Sequence, residues 1–209
     1  MIMNSLFAHP IGEVTLNIDN EKLVSNVVST VDRVKDLNSW QCDVTSSYNN
    51  VELNDEIMSN NIDLLEQVTQ AGTEFLETVG WKSDEYLVED FWYNLYENEH
   101  WQESHHHGTH DLCAIYYATP DLTPTQFMNP NEYTFHQRYY TIEEKRTEFT
   151  KPIYTVLPQP GKLVLFPGYM FHRVPMQQQN YTQRRLTIAF NFGKDVTRLK
   201  KVLDMSKGV

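Results

Sequence analysis

The stretch "PGKLVLFPGYMFHRVP", residues 160–175, decides how the chain is read. A Pro-Gly turn leads into an apolar run, Leu163 to Phe166, which ends abruptly at Pro167-Gly168. His172 follows, with Val174 and Pro175 behind it. A histidine beside a strand is more often a satisfied core or rim residue, but here a tight turn is placed to aim it.

Working outward, the same texture recurs from Gly80 onward. "EDFWYNLYEN", "LCAIYYAT", "PIYTVLP", "KLVLFP" and "RLTIAFNFG" are short aromatic and β-branched runs separated by Pro, Gly and Asn. That pattern predicts antiparallel strands of a sandwich or barrel rather than βαβ units. Upstream, Val14, Leu16 and Ile18 alternate with polar neighbours and predict an opening strand. Asp19 is placed to cap a helix over residues 20–34. A second apolar period of three and four runs from Asn54 to Thr78, and Gly80 ends it.

The expected fold is mainly β with N-terminal helices. It is a double-stranded β-helix, a jelly-roll or cupin-like barrel of about six strands flanked by helices on one side. A single domain over 1–209 is expected, with a strand and helical part over 1–80 and the barrel core over 81–195. The segment Asp121 to Pro152 reads as a long loop of the kind that carries function. Its aromatics Phe127, Tyr133, Phe135, Tyr139 and Tyr140 are placed to cover a peptide or small-molecule substrate, to pack on the barrel edge, or to form a homodimer contact.

Composition narrows the function. The 209 residues carry a formal charge of -11, from 28 acidic against 17 basic side chains, a field that repels nucleic acid and anionic membrane surfaces. Cys42 and Cys113 form no disulfide framework or zinc knuckle, which suits a reducing compartment. No basic stretch precedes an apolar run at the N-terminus and no window approaches a membrane span, so a cytoplasmic protein is expected.

"HHHGTHD", residues 105–111, places four histidines and an aspartate in seven positions. On an extended segment His105 and His107 share a side and His106 points away. Alone, such a run is as readily a polar turn as half of a metal site. With His172 as a remote third ligand it becomes the arrangement that leaves coordination positions open for reactants. In "RRLTIAFNFG", Leu186, Ile188, Phe190 and Phe192 share the face expected to meet the helices. Arg185, Thr187, Ala189 and Asn191 then point inward, where a guanidinium requires an anion: a ligand carboxylate or a protein carboxylate. A register with Arg184 inside is the alternative.

These stretches resemble the 2-oxoglutarate and Fe(II)-dependent oxygenase family whose members read "HxHPxSxLSGVYYV", then "GxLVLFPSxLxHxVxP" and "RxSIAFN". The matching segments are "LFAHPI", "FWYNL", "HHHGTHDLCAIYYAT", "FMNP", "GKLVLFPGYMFHRVP" and "RLTIAFN", in that order. The resemblance implies a double-stranded β-helix with Fe(II) bound by His105, His107 and His172. It also implies that Arg185 anchors the distal carboxylate of 2-oxoglutarate, and that turnover releases succinate and carbon dioxide. Tyr93, Asn94, Tyr116 and Asn191 are candidates for contacts to the cosubstrate or to the ligands. The more widespread triad has a carboxylate where this chain has His107, so either the site is a three-histidine variant or Asp111 supplies the carboxylate. Two other functions stay open: a cupin-type metal enzyme that does not use 2-oxoglutarate, and a barrel that binds without turnover.

Overall fold

A computed structural model describes residues 9–31, 42–82, 86–131, 151–177 and 184–208. Among them ten strands form two antiparallel sheets. The larger sheet runs β1 (Gly12–Thr15), β8 (Lys162–Pro167), β5 (Leu112–Tyr117), β10 (Arg185–Gly193), β3 (Leu87–Tyr96) and β2 (Thr45–Ser46). The smaller runs β4 (Gln102–His105), β9 (His172–Val174), β6 (Thr125–Met128) and β7 (Ile153–Val156). This is the double-stranded β-helix expected from the sequence.

Why the strands hold is clearest in β5 and β10, the central pair of the large sheet. All six residues of β5 and the first eight of β10 are buried, so both faces must be covered. The register Thr187↔Tyr117 through Phe192↔Leu112 sorts them. Leu112, Ala114, Tyr116, Leu186, Ile188, Phe190 and Phe192 join the helices in one core. Cys113, Ile115 and Tyr117 join Phe127, Val156 and Phe166 in a second core between the sheets. The predicted two faces of β10 therefore stand as read.

The helices α1 (Asn20–Val31), α2 (Val51–Ser59) and α3 (Ile62–Thr78), with the C-terminal α4 (Thr197–Ser206), lie on the outer face of the large sheet. The backbone N–H of Lys22 donates to Asp19 Oδ1 at 3.0 Å, the expected cap of α1. Gly80, at φ 81°, closes α3: its N–H donates to the Glu77 carbonyl at 3.0 Å and that of Trp81 to the Leu76 carbonyl at 2.8 Å, a Schellman ending.

Two expectations are corrected. The helix read as continuous from Asn54 to Thr78 is two helices, broken at Asn60 and Asn61. Asn61 Nδ2 donates back to the Ile57 carbonyl at 2.7 Å, using an asparagine side chain to end one helix where the next begins. The supposed loop after Asp121 contains β6, whose Phe127 is buried. The helix α4 had not been expected. Tyr133, Phe135, Tyr139 and Tyr140 lie outside the described residues. Among the described residues no helix is long and apolar enough to cross a membrane.

Candidate metal centre

Strand pairing builds the centre. His105 ends β4 directly opposite His172, which begins β9. His107 lies just past β4, where its backbone N–H donates to the Gly168 carbonyl at 2.7 Å, inside the Pro167-Gly168 turn that delivers His172. The three imidazoles each offer a ligand atom, all within 4.8 Å of one another. Ring centroids are 4.3 Å apart for His105 and His172, 5.2 Å for His107 and His172, and 5.5 Å for His105 and His107.

The partners of the Nδ1 atoms decide which nitrogen faces inward. His105 Nδ1 meets the Glu103 carbonyl at 2.9 Å, His107 Nδ1 meets Asn191 Oδ1 at 2.6 Å, and His172 Nδ1 meets the Met170 carbonyl at 3.1 Å. Carbonyl and amide oxygens only accept, so each Nδ1 carries the proton and each Nε2 is left as the lone-pair nitrogen. Outer acceptors of this kind orient metal-binding histidines. Burial also favours the neutral rings. It holds His105 below its ordinary range, pulls His107 down to about 4, and lowers His172 furthest, with the neighbouring histidines adding to the effect.

Asp111 is not part of this group. Its Oδ2 accepts from the Tyr86 hydroxyl at 2.8 Å, and among the described residues no carboxylate belongs to the cluster. His106 points away from the triad, as alternation requires, and packs edge-on against exposed Phe171 at 4.5 Å. The walls are apolar: Phe127 lies 5.6 Å from His172 and Phe166 4.9 Å, while Trp92 lies 5.4 Å from His107.

Arg185 lines the same cavity as the three histidines, together with Asn94, Thr125 and Thr187. It is 1% exposed. Its Nη1 donates to the Thr123 carbonyl at 2.8 Å and its Nη2 to Thr125 Oγ1 at 2.9 Å, while the rings of Tyr96 and Tyr117 lie 5.0 and 5.7 Å away. Among the described residues its Nε has no hydrogen-bond partner; it stands 4.0 Å from Asp121 Oδ2, which has none either. Arg184 faces outward and pairs with Glu97 at 2.8 Å. Asn94 presents at the cavity wall a buried Oδ1 without a partner among the described residues.

Two candidates are corrected. Tyr116 belongs to the helix-side core and its hydroxyl donates to Asn20 Oδ1 at 2.7 Å. Tyr93 lies on that side too, its hydroxyl directed at the Asn54 carbonyl at 3.4 Å. In both strands the neighbour one position away faces inward: Tyr117 beside Arg185, and Trp92 beside His107. Asn191 reaches the site by holding His107 and also accepts from the Cys113 thiol at 3.3 Å. Asp121 and Thr123, which frame the guanidinium, were not anticipated as individual residues; they sit in the segment that read as a long loop of the kind that carries function.

Residues 90–191 match the family described as "Putative 2OG-Fe(II) oxygenase". No curated protein matches the chain in sequence. Among solved structures, a Pseudomonas putida prolyl-4-hydroxylase is similar at 14% identity and TM-score 0.54, covering 91% of this chain and 95% of the other. The epimerase SnoN from nogalamycin biosynthesis, described as non-heme and alpha ketoglutarate dependent, is similar at 12% identity and TM-score 0.58, covering 89% and 79%. HygX from Streptomyces hygroscopicus, solved with nickel and 2-oxoglutarate bound, is similar at 10% identity and TM-score 0.55, covering 88% and 83%.

Proposed function

We infer, from the match of residues 90–191 to the family described as "Putative 2OG-Fe(II) oxygenase", that the chain hydroxylates a small-molecule or peptide substrate using Fe(II) and 2-oxoglutarate. The observation that carries this reading is the convergence of one ligand atom each from His105, His107 and His172, all within 4.8 Å of one another, with each Nδ1 turned to an oxygen atom. Three imidazole nitrogens suit Fe(II) and leave positions open for reactants.

In this reading His105, His107 and His172 hold the iron, and Arg185 faces the distal carboxylate of 2-oxoglutarate. The bound pair would supply oxygen activation, coupled to decarboxylation of 2-oxoglutarate to succinate and carbon dioxide. The chain's own residues set the geometry. Asn191, Glu103 and Met170 fix the ring orientations through the Nδ1 contacts. Phe127, Phe166 and Trp92 keep water from the ligands. Asn94, with an orphaned acceptor at the cavity wall, serves a donor on whatever enters.

Anaerobic titration of the full chain with Fe(II), with and without 2-oxoglutarate, tests the assignment. A weak visible charge-transfer band that requires both components supports it; iron binding with no response to 2-oxoglutarate favours a cupin-type enzyme. In air, succinate should form slowly without substrate and cease in His172→Ala. Retained succinate formation in that variant would remove His172 from the metal site.

A further inference from the structure

Resting on the oxygenase reading above, we propose that Asp121 supplies, at the guanidinium end of the cavity, the negative charge that the metal end lacks. As a result the site selects a cosubstrate by its 2-oxo acid end and only weakly by a second carboxylate. In the two-histidine, one-carboxylate centre the protein's anion is a metal ligand. In this chain the candidate ligands are three imidazoles, and among the described residues no carboxylate joins them. The buried carboxylate sits instead against the anchor: Asp121, its side chain 2% exposed, holds Oδ2 at 4.0 Å from Arg185 Nε.

The local structure makes this pairing a built feature. Asp121 Oδ1 accepts from the backbone N–H of Thr123 at 2.8 Å, and the Thr123 carbonyl in turn accepts from Arg185 Nη1 at 2.8 Å. Thr125 Oγ1 takes the second terminal nitrogen at 2.9 Å and also accepts from the Tyr117 hydroxyl at 2.8 Å. Both ends of the guanidinium fork are thus engaged by neutral protein acceptors, and its charge is opposed by a carboxylate inside the same water-poor shell. At this separation a unit charge offsets much of what the guanidinium offers a ligand anion. A distal carboxylate meets a nearly neutral end, whereas the chelating end meets an ion whose charge no protein carboxylate reduces.

The test is calorimetric binding to the full chain loaded with Zn(II), a redox-inert ion, using 2-oxoglutarate and the monocarboxylate 2-oxopentanoate. In the native chain the two Kd values should agree within about tenfold. Asp121→Asn keeps the oxygen that accepts from Thr123 and removes the charge; it should tighten 2-oxoglutarate by about tenfold and leave 2-oxopentanoate unchanged. Native preference for 2-oxoglutarate of a hundredfold or more overturns the proposal, and that measurement stands even if the variant fails to fold. An Asp121→Asn change that is equal for both acids, or that weakens 2-oxoglutarate, overturns it too. Should neither acid bind the Zn(II)-loaded native chain, the oxygenase reading itself fails, a different and distinguishable result.

Discussion

The backbone N–H of His107 donates to the carbonyl of Gly168, and the N–H of Gly168 donates to the carbonyl of Asp111 at 3.2 Å. The turn carrying one pair of histidines is thereby stitched to the turn that delivers the third. A methyl group at Gly168 would come within 2.0 Å of the His110 carbonyl oxygen and 2.7 Å of that of His107. Gly168→Ala should therefore push the two turns apart, destabilise the protein by roughly 1–3 kcal/mol, and weaken metal binding. Co(II) absorption titration with thermal melts would check this; unchanged metal affinity would show that the stitch does not position the ligands.

Asn191 touches no reactant in the proposed scheme and acts through His107. Asn191→Ala removes the acceptor for His107 Nδ1 while leaving the strand paired. A loss of about 10–100-fold in metal affinity is expected, with the ligand-field bands of bound Co(II) shifted. An intact spectrum and affinity would leave the 2.6 Å contact without a role in ligand orientation.

Acid should weaken the metal-free protein through the same histidines. Burial lowers His107 from 6.5 to about 4 and moves His105 and His172 in the same direction. Between those values the unfolded chain binds protons that the folded chain refuses, so stability is full above about pH 7 and declines as pH falls from 6.5 toward 4. Urea midpoints of chelator-treated protein at pH 8, 6.5 and 5 should fall in that order, with a shallower decline in His107→Gln. Parallel declines in the two proteins would assign the acid sensitivity to other groups.

The C-terminal helix is fastened through Arg198, whose guanidinium joins Asp90 and fully buried Asp55 and lies 4.0 Å over the Phe91 ring. Lys201, more than half exposed, also reaches Asp55 at 2.9 Å. Arg198→Met should cost about 3 kcal/mol, because it strips a buried carboxylate of its main partner. Lys201→Ala should cost less than about 1 kcal/mol. Urea unfolding separates them, and equal losses would show that the exposed lysine holds Asp55 as firmly as the buried guanidinium. Metal affinity should be unaffected in both.

Much of this was legible in the residues. Period-two alternation along β10 assigned Leu186, Ile188, Phe190 and Phe192 to the helix side and Arg185 inward, and the same rule placed His105 and His107 together. Tyr93 and Tyr116 were named only because their strands line the barrel, and alternation could not sort them: β3 and β5 are buried on both faces over most of their length, so hydrophobicity does not say which set of side chains faces the cavity. The Asn60-Asn61 break went unseen since the apolar period continues across it. Asp121, Thr123 and β6 were hidden in a turn-rich segment, where function depends on backbone direction that composition does not encode.

The His105–His172 pairing also has a mechanical meaning. An ion gripping both residues would fasten β4 to β9, strands of four and three residues, in the sheet that no helix covers among the described residues. Chelation should then loosen this sheet first, so that deuterium enters the amides of β4, β9 and β6 while β5 and β10 stay closed. The metal would serve as a rivet for one half of the barrel, and the helix-backed half would stand without it.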